Sequence, residues 1–195
     1  MPCFTPGTMI ATPKGEVPVE TLRAGGRIIT RDNGIRDIRW TGQISLNWHE
    51  LNARPHLKPI LVRQGSLGNG LPERDMMVSP NHRLLVANDR TALHFDQAEV
   101  LVAAKHLVAQ AGVQTVNSLG TTYIHFMFAR HEVVLANGAW TESFHPGDTS
   151  LKGLGNAQRH EIFDLFPELK TGVAQDGAVA ARNTLGGQNA RLLAR

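Results

Sequence analysis

The sequence predicts an all-β fold that carries short helices and one C-terminal helix. From Gly7 to about Val86, clusters of β-branched residues alternate with turn residues, and the spacing of an amphipathic helix is absent. From Thr121 to Phe128, successive residues alternate between two faces, as they do in a strand. Hydrophobic residues make up 42% of the 195 positions, which is enough to form a core beneath such strands.

The first half of the chain is expected to fold into hairpins. Turn residues occur from Pro13 to Glu16 and from Asp32 to Gly34, and the second group contains an Asn-Gly pair suited to a tight hairpin. That turn would join a strand over Arg27 to Arg31 with a strand over Ile35 to Ile44, which would contain a bulge or be long and curved. A further strand is expected from Lys58 to Val62.

The second half combines strands with weak helical signals. Apolar residues between Glu99 and Gln110 recur at spacings of three and four, so we expect a short strand that leads into a short helix. Two strands should follow, from Thr121 to Phe128 and from His131 to Leu135. The turn Ala136 to Gly138 closes the second of these strands.

The C-terminal region divides into a helix and a tail. Asp148 or Thr149 is suited to cap a helix that runs to about Phe166. We therefore expect a β domain over residues 3–146, a helical extension over residues 147–170 and a loosely ordered tail over residues 171–195. Gly, Ala, Gln, Asn and Arg dominate the tail, and a segment without aromatic residues has little to bury.

Composition argues against several classes of protein. A net charge of +3 from scattered basic residues predicts no nucleic-acid partner. No apolar run approaches the roughly 20 residues that cross a bilayer, and no signal peptide is visible. We expect a monomer without a membrane partner, cytoplasmic by default or exported as part of a longer precursor. A single cysteine excludes an intramolecular disulfide, and we expect neither a metal site nor a cofactor.

The residues that indicate chemistry are Cys3, His82 and His131. A cysteine acts as a nucleophile in its thiolate form, which a nearby base must help to generate, and histidine is the usual base. One cysteine and nine histidines can be paired in many ways. A buried structural thiol at Cys3 and structural histidines at the other two positions therefore remain alternatives.

Four motifs in order resemble the Hint (hedgehog/intein) family, and specifically its bacterial Hint-type branch. The resemblance covers about Cys3 to Ser143. The motifs are Cys3-Phe4-Thr5-Pro6-Gly7-Thr8, Val17-Pro18-Val19-Glu20-Thr21-Leu22-Arg23-Ala24-Gly25, Ser79-Pro80-Asn81-His82-Arg83 and His131 to Gly138. This resemblance implies a pseudo-twofold, horseshoe-like β fold that brings the first cysteine, the middle histidine and the late strand together.

The resemblance also implies a reaction and its residues. The leading cysteine of the family attacks the carbonyl of the residue before it, so Cys3 would convert the Pro2 amide into a thioester. His82 would donate a proton to the Cys3 nitrogen. Ser79 occupies the threonine position of the family's Thr-x-x-His motif and keeps the hydroxyl. His131 matches a late histidine that assists resolution in inteins. The substrate would be the chain's own upstream polypeptide, cleaved in a single turnover.

Three departures from the family pattern limit this reaction. Glu142 and Ser143 stand where inteins end in His-Asn, so asparagine cyclisation lacks its residue. Hedgehog-like cleavage, with the thioester resolved by water or another nucleophile, is therefore expected instead of splicing. Gly26 replaces an aspartate that is usual in the family. Met1 and Pro2 are the residues printed before Cys3, which leaves little to remove if Met1 is the genuine start.

Two other functions fit the same residues. The chain could be a catalytically degenerate Hint-fold module that serves a structural or interaction role. It could also be a cysteine hydrolase that acts on a separate substrate, which would require an open cleft.

Overall fold

The computed structural model describes residues 2–87, 99–144, 181–182, 184–186 and 189, and within them the protein is mainly β-sheet. The predicted all-β class is confirmed. The strands are β1 (Met9–Thr12), β2 (Gly15–Pro18), β3 (Arg27–Thr30), β4 (Gly34–Asp37), β5 (Trp40–Asn47), β6 (Ile60–Val62), β7 (Met76–Val78), β8 (Arg83–Val86), β9 (Val100–Ala103), β10 (Val113–Thr115), β11 (Gly120–Met127), β12 (Val133–Ala136), β13 (Ala139–Glu142) and β14 (Thr184–Leu185).

The strands pair in an order that differs from their order in the chain. The largest sheet runs β14-β9-β8-β13-β12-β1-β2, and β3 joins it through β12 and carries β4. Strands β10, β6 and β7 form a second sheet, and the eight-residue strands β5 and β11 form a long antiparallel pair. Buried apolar residues from these strands and from the segments between and before them form one core cluster that includes Phe4, Ile28, Val78 and Phe126.

The hairpin around Gly34 forms as expected, but the strand that follows it is interrupted. Gly34 has a φ of 66° in the turn between β3 and β4. The predicted single strand over Ile35 to Ile44 is wrong, because β4 ends at Asp37 and β5 begins at Trp40. Ile38 donates a hydrogen bond to the Gly26 carbonyl at 2.8 Å, whereas Arg39 donates to the Met127 carbonyl at 2.7 Å. The chain changes pairing partners at this point.

A short α-helix, α1 (Trp48–Ala53), lies in the region where the sequence predicts only strands. The Asn47 side chain accepts from the Glu50 backbone, and the Glu50 side chain accepts from the Asn47 backbone. This capping box starts the helix. Leu51 is its buried residue and packs beneath it. Short 3₁₀ helices occupy Val19–Thr21, Pro55–Leu57 and Ala104–His106.

The second half forms the strands that the sequence predicts. Strand β9 leads directly into the three-residue 3₁₀ helix Ala104–His106, so helical structure in this run is confined to one turn. Strands β11 and β12 match the two predicted strands, and Asn137 and Gly138 adopt positive φ of 46° and 78° in the turn after β12. The expected helix from Asp148 or Thr149 to Phe166 lies outside the described residues.

Part of the expected loose tail is a strand. Thr184 and Leu185 form β14 and pair in parallel with β9. Arg182 makes ion pairs with Asp32 at 2.7 Å and with Glu99 at 2.9 Å, which attach this segment to the β domain. Composition gave no sign of this pairing, because the partners lie far away in the chain.

Candidate functional site

The segment that carries Cys3 is held between β7 and β11. Phe4 and Ile124 exchange two backbone hydrogen bonds of 2.8 Å, and the Ser79 amide donates to the Cys3 carbonyl at 2.9 Å. The buried Phe4 ring stacks on Phe126 with centroids 5.5 Å apart. The two strands therefore fix the position of the N-terminal cysteine.

The Cys3 thiol is buried in an apolar cluster. Its residue is 1% exposed and packs with Leu46, Leu51 and Tyr123. Burial raises the pKa of Cys3 to about 12, with a smaller contribution from the negative charge of Glu142. The resting sulfur is a thiol at neutral pH.

The Ser79 hydroxyl contacts the nitrogen of the peptide bond that precedes Cys3. The Cys3 amide donates to Ser79 Oγ at 2.9 Å, and Ser79 is buried. The same residue begins a turn, because the His82 amide donates to the Ser79 carbonyl at 3.0 Å. Ser79 therefore both begins a turn and contacts the candidate scissile bond.

His82 lies in the interior beside the residue that follows Cys3. Its ring meets the Phe4 ring edge-on with centroids 4.4 Å apart. Nε2 is hydrogen-bonded to the hydroxyl of Thr141, and Nδ1 is buried without a hydrogen-bond partner in the described part of the chain. Burial lowers the pKa of His82 to about 3, so the imidazole is neutral near pH 7.

The imidazole in contact with the sulfur belongs to His125, which the sequence did not single out as catalytic. Its Nδ1 lies 3.6 Å from Cys3 Sγ, and the residue is 1% exposed. Burial lowers the pKa of His125 to about 4. The alternation along β11 carries a signal for it, since Tyr123 and His125 share one face of the strand. Tyr123 and Cys3 belong to the same apolar cluster.

His131 is held by different contacts. Its Nε2 lies 3.4 Å from the Glu142 carboxylate, and its Nδ1 accepts from the Ala181 backbone amide at 3.1 Å. Glu142 also accepts from the Arg83 amide at 2.9 Å and from the Arg83 guanidinium at 3.0 Å. The buried Glu142 carboxylate thus links His131 to Arg83, the residue after His82.

The two residues in place of the intein His-Asn pair have structural contacts. Glu142 and Ser143 are both buried. Ser143 Oγ accepts from the Glu132 amide at 3.0 Å, and the Ser143 amide donates to the Glu132 carbonyl at 2.8 Å. Both side chains therefore help to hold the late strands together.

Gly26 occupies a position that has no space for a side chain. A Cβ built there would lie 2.9 Å from the Arg23 carbonyl oxygen and 3.5 Å from the Ile38 side chain. The turn that precedes β3 is therefore compact here, and an aspartate would force the backbone to move.

A cleft of about 250 Å³ opens beside Cys3. Ile44, Leu46, Leu57 and Tyr123 provide apolar lining, and Arg54 and His56 are exposed at its edge. Cys3 and Ser79 also line it, so the cleft reaches Cys3 and the hydroxyl that contacts its nitrogen. The described residues hold no group of three or more His, Cys, Asp or Glu side chains placed for a metal ion, and none of their helices is long and apolar enough to span a membrane.

A profile of the family described as the Hint domain matches residues 2–148 of the sequence. The chain belongs to the Hint domain family. Both the resemblance drawn from the four motifs and the expected Hint fold are confirmed.

Solved structures of intein-like proteins are similar to this Hint chain. One is the solution structure of a bacterial intein-like domain from Clostridium thermocellum, with 13% identity, a TM-score of 0.46, and coverage of 74% of this chain and 99% of that one. Another is a DnaB intein from Synechocystis sp. PCC 6803, with 9% identity, a TM-score of 0.47, and coverage of 74% and 100%. No curated protein matches the sequence.

Proposed function

We propose that this Hint domain cleaves the peptide bond before Cys3 through a thioester, in a hedgehog-like autoprocessing reaction. The observation that carries the proposal is the environment of Cys3. Its nitrogen is hydrogen-bonded to the Ser79 hydroxyl at 2.9 Å, and its sulfur lies 3.6 Å from an imidazole nitrogen. An N-to-S acyl shift needs a contact at each of these two atoms, because one gains a proton and the other loses one.

In the proposed reaction, Cys3 Sγ attacks the carbonyl carbon of Pro2. The S–C bond forms and the C–N bond breaks, so the amide becomes a thioester and the Cys3 nitrogen becomes an amine. His82 delivers the proton to that nitrogen, and Ser79 orients the nitrogen through its hydroxyl. Since the His82 ring rests in the neutral form, it donates this proton only after it has accepted one.

Water or another nucleophile then attacks the thioester and releases the upstream polypeptide. Neither Glu142 nor Ser143 carries the side-chain amide that cyclises in splicing, and both are engaged in structural contacts. Cleavage without ligation is therefore the outcome that this Hint chain supports. The catalytic residues would be Cys3, Ser79 and His82, with His131 supporting them through Glu142.

A fusion that carries a passenger before Pro2 tests this function. Adding dithiothreitol should release the passenger, because the thiol captures the thioester. Cys3→Ala should abolish release, since no other side chain can form the thioester. Intact mass spectrometry measures both outcomes, and release from the Cys3→Ala fusion at the parental rate would falsify the mechanism.

The second candidate function is a structural or interaction module, and the burial of Cys3 favours it. A thiol with a pKa of about 12 is a weak nucleophile unless a base acts on it during the attack. This alternative predicts that the fusion remains intact at every thiol concentration and pH. The same mass measurement distinguishes the two functions.

A further inference from the structure

We propose that His125 is the general base that takes the proton from the Cys3 thiol. The inference rests on the autoprocessing function proposed above and names the residue that starts it. Nδ1 of His125 lies 3.6 Å from Cys3 Sγ, a distance at which a thiol donates a hydrogen bond. The sequence motifs indicated His82 and His131, and His125 lies outside both motifs.

The imidazole of His125 is held in place from several sides. Its ring stacks on Trp40 with centroids 5.0 Å apart, and Phe144 packs at 5.5 Å. Gly42 leaves the space that the ring occupies, because a Cβ at that position would lie 2.7 Å from Nε2. Packing thus fixes the direction in which Nδ1 faces.

The protonation state of the ring suits a base. Nε2 is buried without a hydrogen-bond partner in the described residues. No described neighbour therefore donates a hydrogen bond to Nε2, and this nitrogen can carry the ring proton. A ring with its proton on Nε2 presents the Nδ1 lone pair to the thiol. Because burial lowers the pKa of His125 to about 4, this neutral form is the resting form at pH 7.

Among the described residues, no other group packed against His125 fits this role. Trp40 and Gly42 on β5 and Phe144 after β13 do not titrate in water. Tyr123, on the same strand, donates its hydroxyl to the Leu57 carbonyl at 2.6 Å, and burial raises its pKa. Tyr123 therefore keeps its proton throughout the pH range of the test.

The step balances without any additional reactant. As Sγ bonds to the Pro2 carbonyl carbon, the thiol proton moves to Nδ1 and the carbonyl π electrons move to oxygen. His82 then accepts one proton as His125 gives one up. When the carbonyl re-forms, the C–N bond breaks and the Cys3 nitrogen takes this proton from His82. Both imidazoles are then neutral again. The net change moves a single proton from sulfur to nitrogen.

The pH profile of passenger release tests the inference. It is measured at dithiothreitol concentrations where the rate no longer increases with added thiol, so that the acyl shift is limiting. The parent should release its passenger at a nearly constant rate from pH 6 to pH 8. The reason is that neither the thiol nor His125 titrates in that range.

His125→Asn places an amide near the position of Nδ1 but cannot accept a proton. We expect release at pH 7 to slow by about 10²-fold to 10⁴-fold, the usual effect of losing a general base. The remaining rate should rise about tenfold per pH unit, because solvent hydroxide must then generate the thiolate. His49→Asn replaces an exposed histidine and should change neither the rate nor the profile.

The outcomes separate this inference from the function on which it rests. A slower His125→Asn variant whose rate stays independent of pH would mean that His125 only packs the site. If that variant does not fold, as judged by its thermal unfolding, His125→Gln is measured in its place. The parent alone also tests the inference, because a tenfold rise per pH unit would exclude His125 as the base. A parent that releases nothing contradicts the autoprocessing function instead.

Discussion

The His82 ring illustrates how individual contacts constrain the proposed reaction. The Thr141 hydroxyl is hydrogen-bonded to His82 Nε2, and it donates its own hydrogen to the Glu142 carbonyl at 3.4 Å. Because the hydroxyl carries one hydrogen, it then accepts from His82 Nε2–H, and Nδ1 presents a lone pair. Phe4 packs against the same ring. The buried Nδ1 can therefore first accept a proton and then donate it.

His82→Ala should slow passenger release by about two to four orders of magnitude, the range expected when an acid-base residue is lost. His56→Ala provides the control, since His56 lies exposed at the edge of the cleft and takes no part in the acyl shift. Release kinetics followed by mass spectrometry compare the two variants. Equal rates in His82→Ala and the parent would remove His82 from the mechanism.

Motifs identified part of the site at the residue scale. Cys3, Ser79 and His82 each belong to a motif, and the structure places Ser79 on the Cys3 backbone and His82 against Phe4. Their catalytic roles remain predictions. His125 lies outside every quoted motif, and its contact with Cys3 depends on the pairing of Phe4 with Ile124. That register is a long-range property, which strand alternation alone does not determine.

Helix α1 begins at a capping box that lies within a segment of β-type sequence. Asn47 and Glu50 are spaced as a capping box, although the surrounding segment reads as β structure. The helix is only six residues long and gives no apolar repeat of the usual length. Its buried Leu51 packs in the cluster that surrounds Cys3, so the helix supports one side of the site.

Asn47→Ala should lower the free energy of unfolding by about 1 kcal/mol, because the Glu50 amide loses its capping acceptor. Asn52→Ala is the matched control within the same helix. Asn52 is exposed, and alanine has the higher helix propensity, so this change should be neutral or slightly stabilising. Urea unfolding measures both variants. An equal effect of the two changes would show that capping does not stabilise α1.

Some of the other elements are determined by local residues, and others depend on contacts with distant parts of the chain. The turns at Gly34 and at Asn137-Gly138 follow from residues that tolerate positive φ, and the sequence predicted both. The break between β4 and β5 follows from hydrogen bonds to Gly26 and Met127, which lie elsewhere in the chain. Strand β14 likewise depends on a distant partner, β9. Pairing across the fold explains what the local pattern did not predict.

The whole molecule brings distant segments to one place. The largest sheet places β13 between β8 and β12, so Thr141 meets Leu84 across strands that are far apart in sequence. The sequence resemblance implied such a convergence, whereas composition and periodicity predicted only the β class. The consequence for the whole fold is that His82 and His125 are buried, and burial favours the neutral form of each ring.

This enclosure makes stability depend on pH. Both folded-state pKa values, about 3 for His82 and about 4 for His125, lie below the unfolded value of 6.5. Between pH 6.5 and pH 4, the unfolded chain therefore binds protons that the folded protein does not bind. The stabilisation is complete above pH 6.5 and is lost as the pH falls through this window, by about 1.4 kcal/mol per pH unit for each histidine.

Urea midpoints between pH 7 and pH 4.5 measure this dependence directly. The midpoint should decrease steadily below pH 6.5. His125→Asn should reduce the slope by about half, because one of the two imidazoles whose pKa is lowered by burial is gone. His49→Asn should leave the slope unchanged, since His49 is exposed and lies outside the buried core. If the parent unfolds at the same urea concentration at pH 7 and pH 5, the folded protein accepts these protons and the imidazoles are not held neutral. The resting state assumed for the acyl shift, a neutral base facing a neutral thiol, would then be excluded as well.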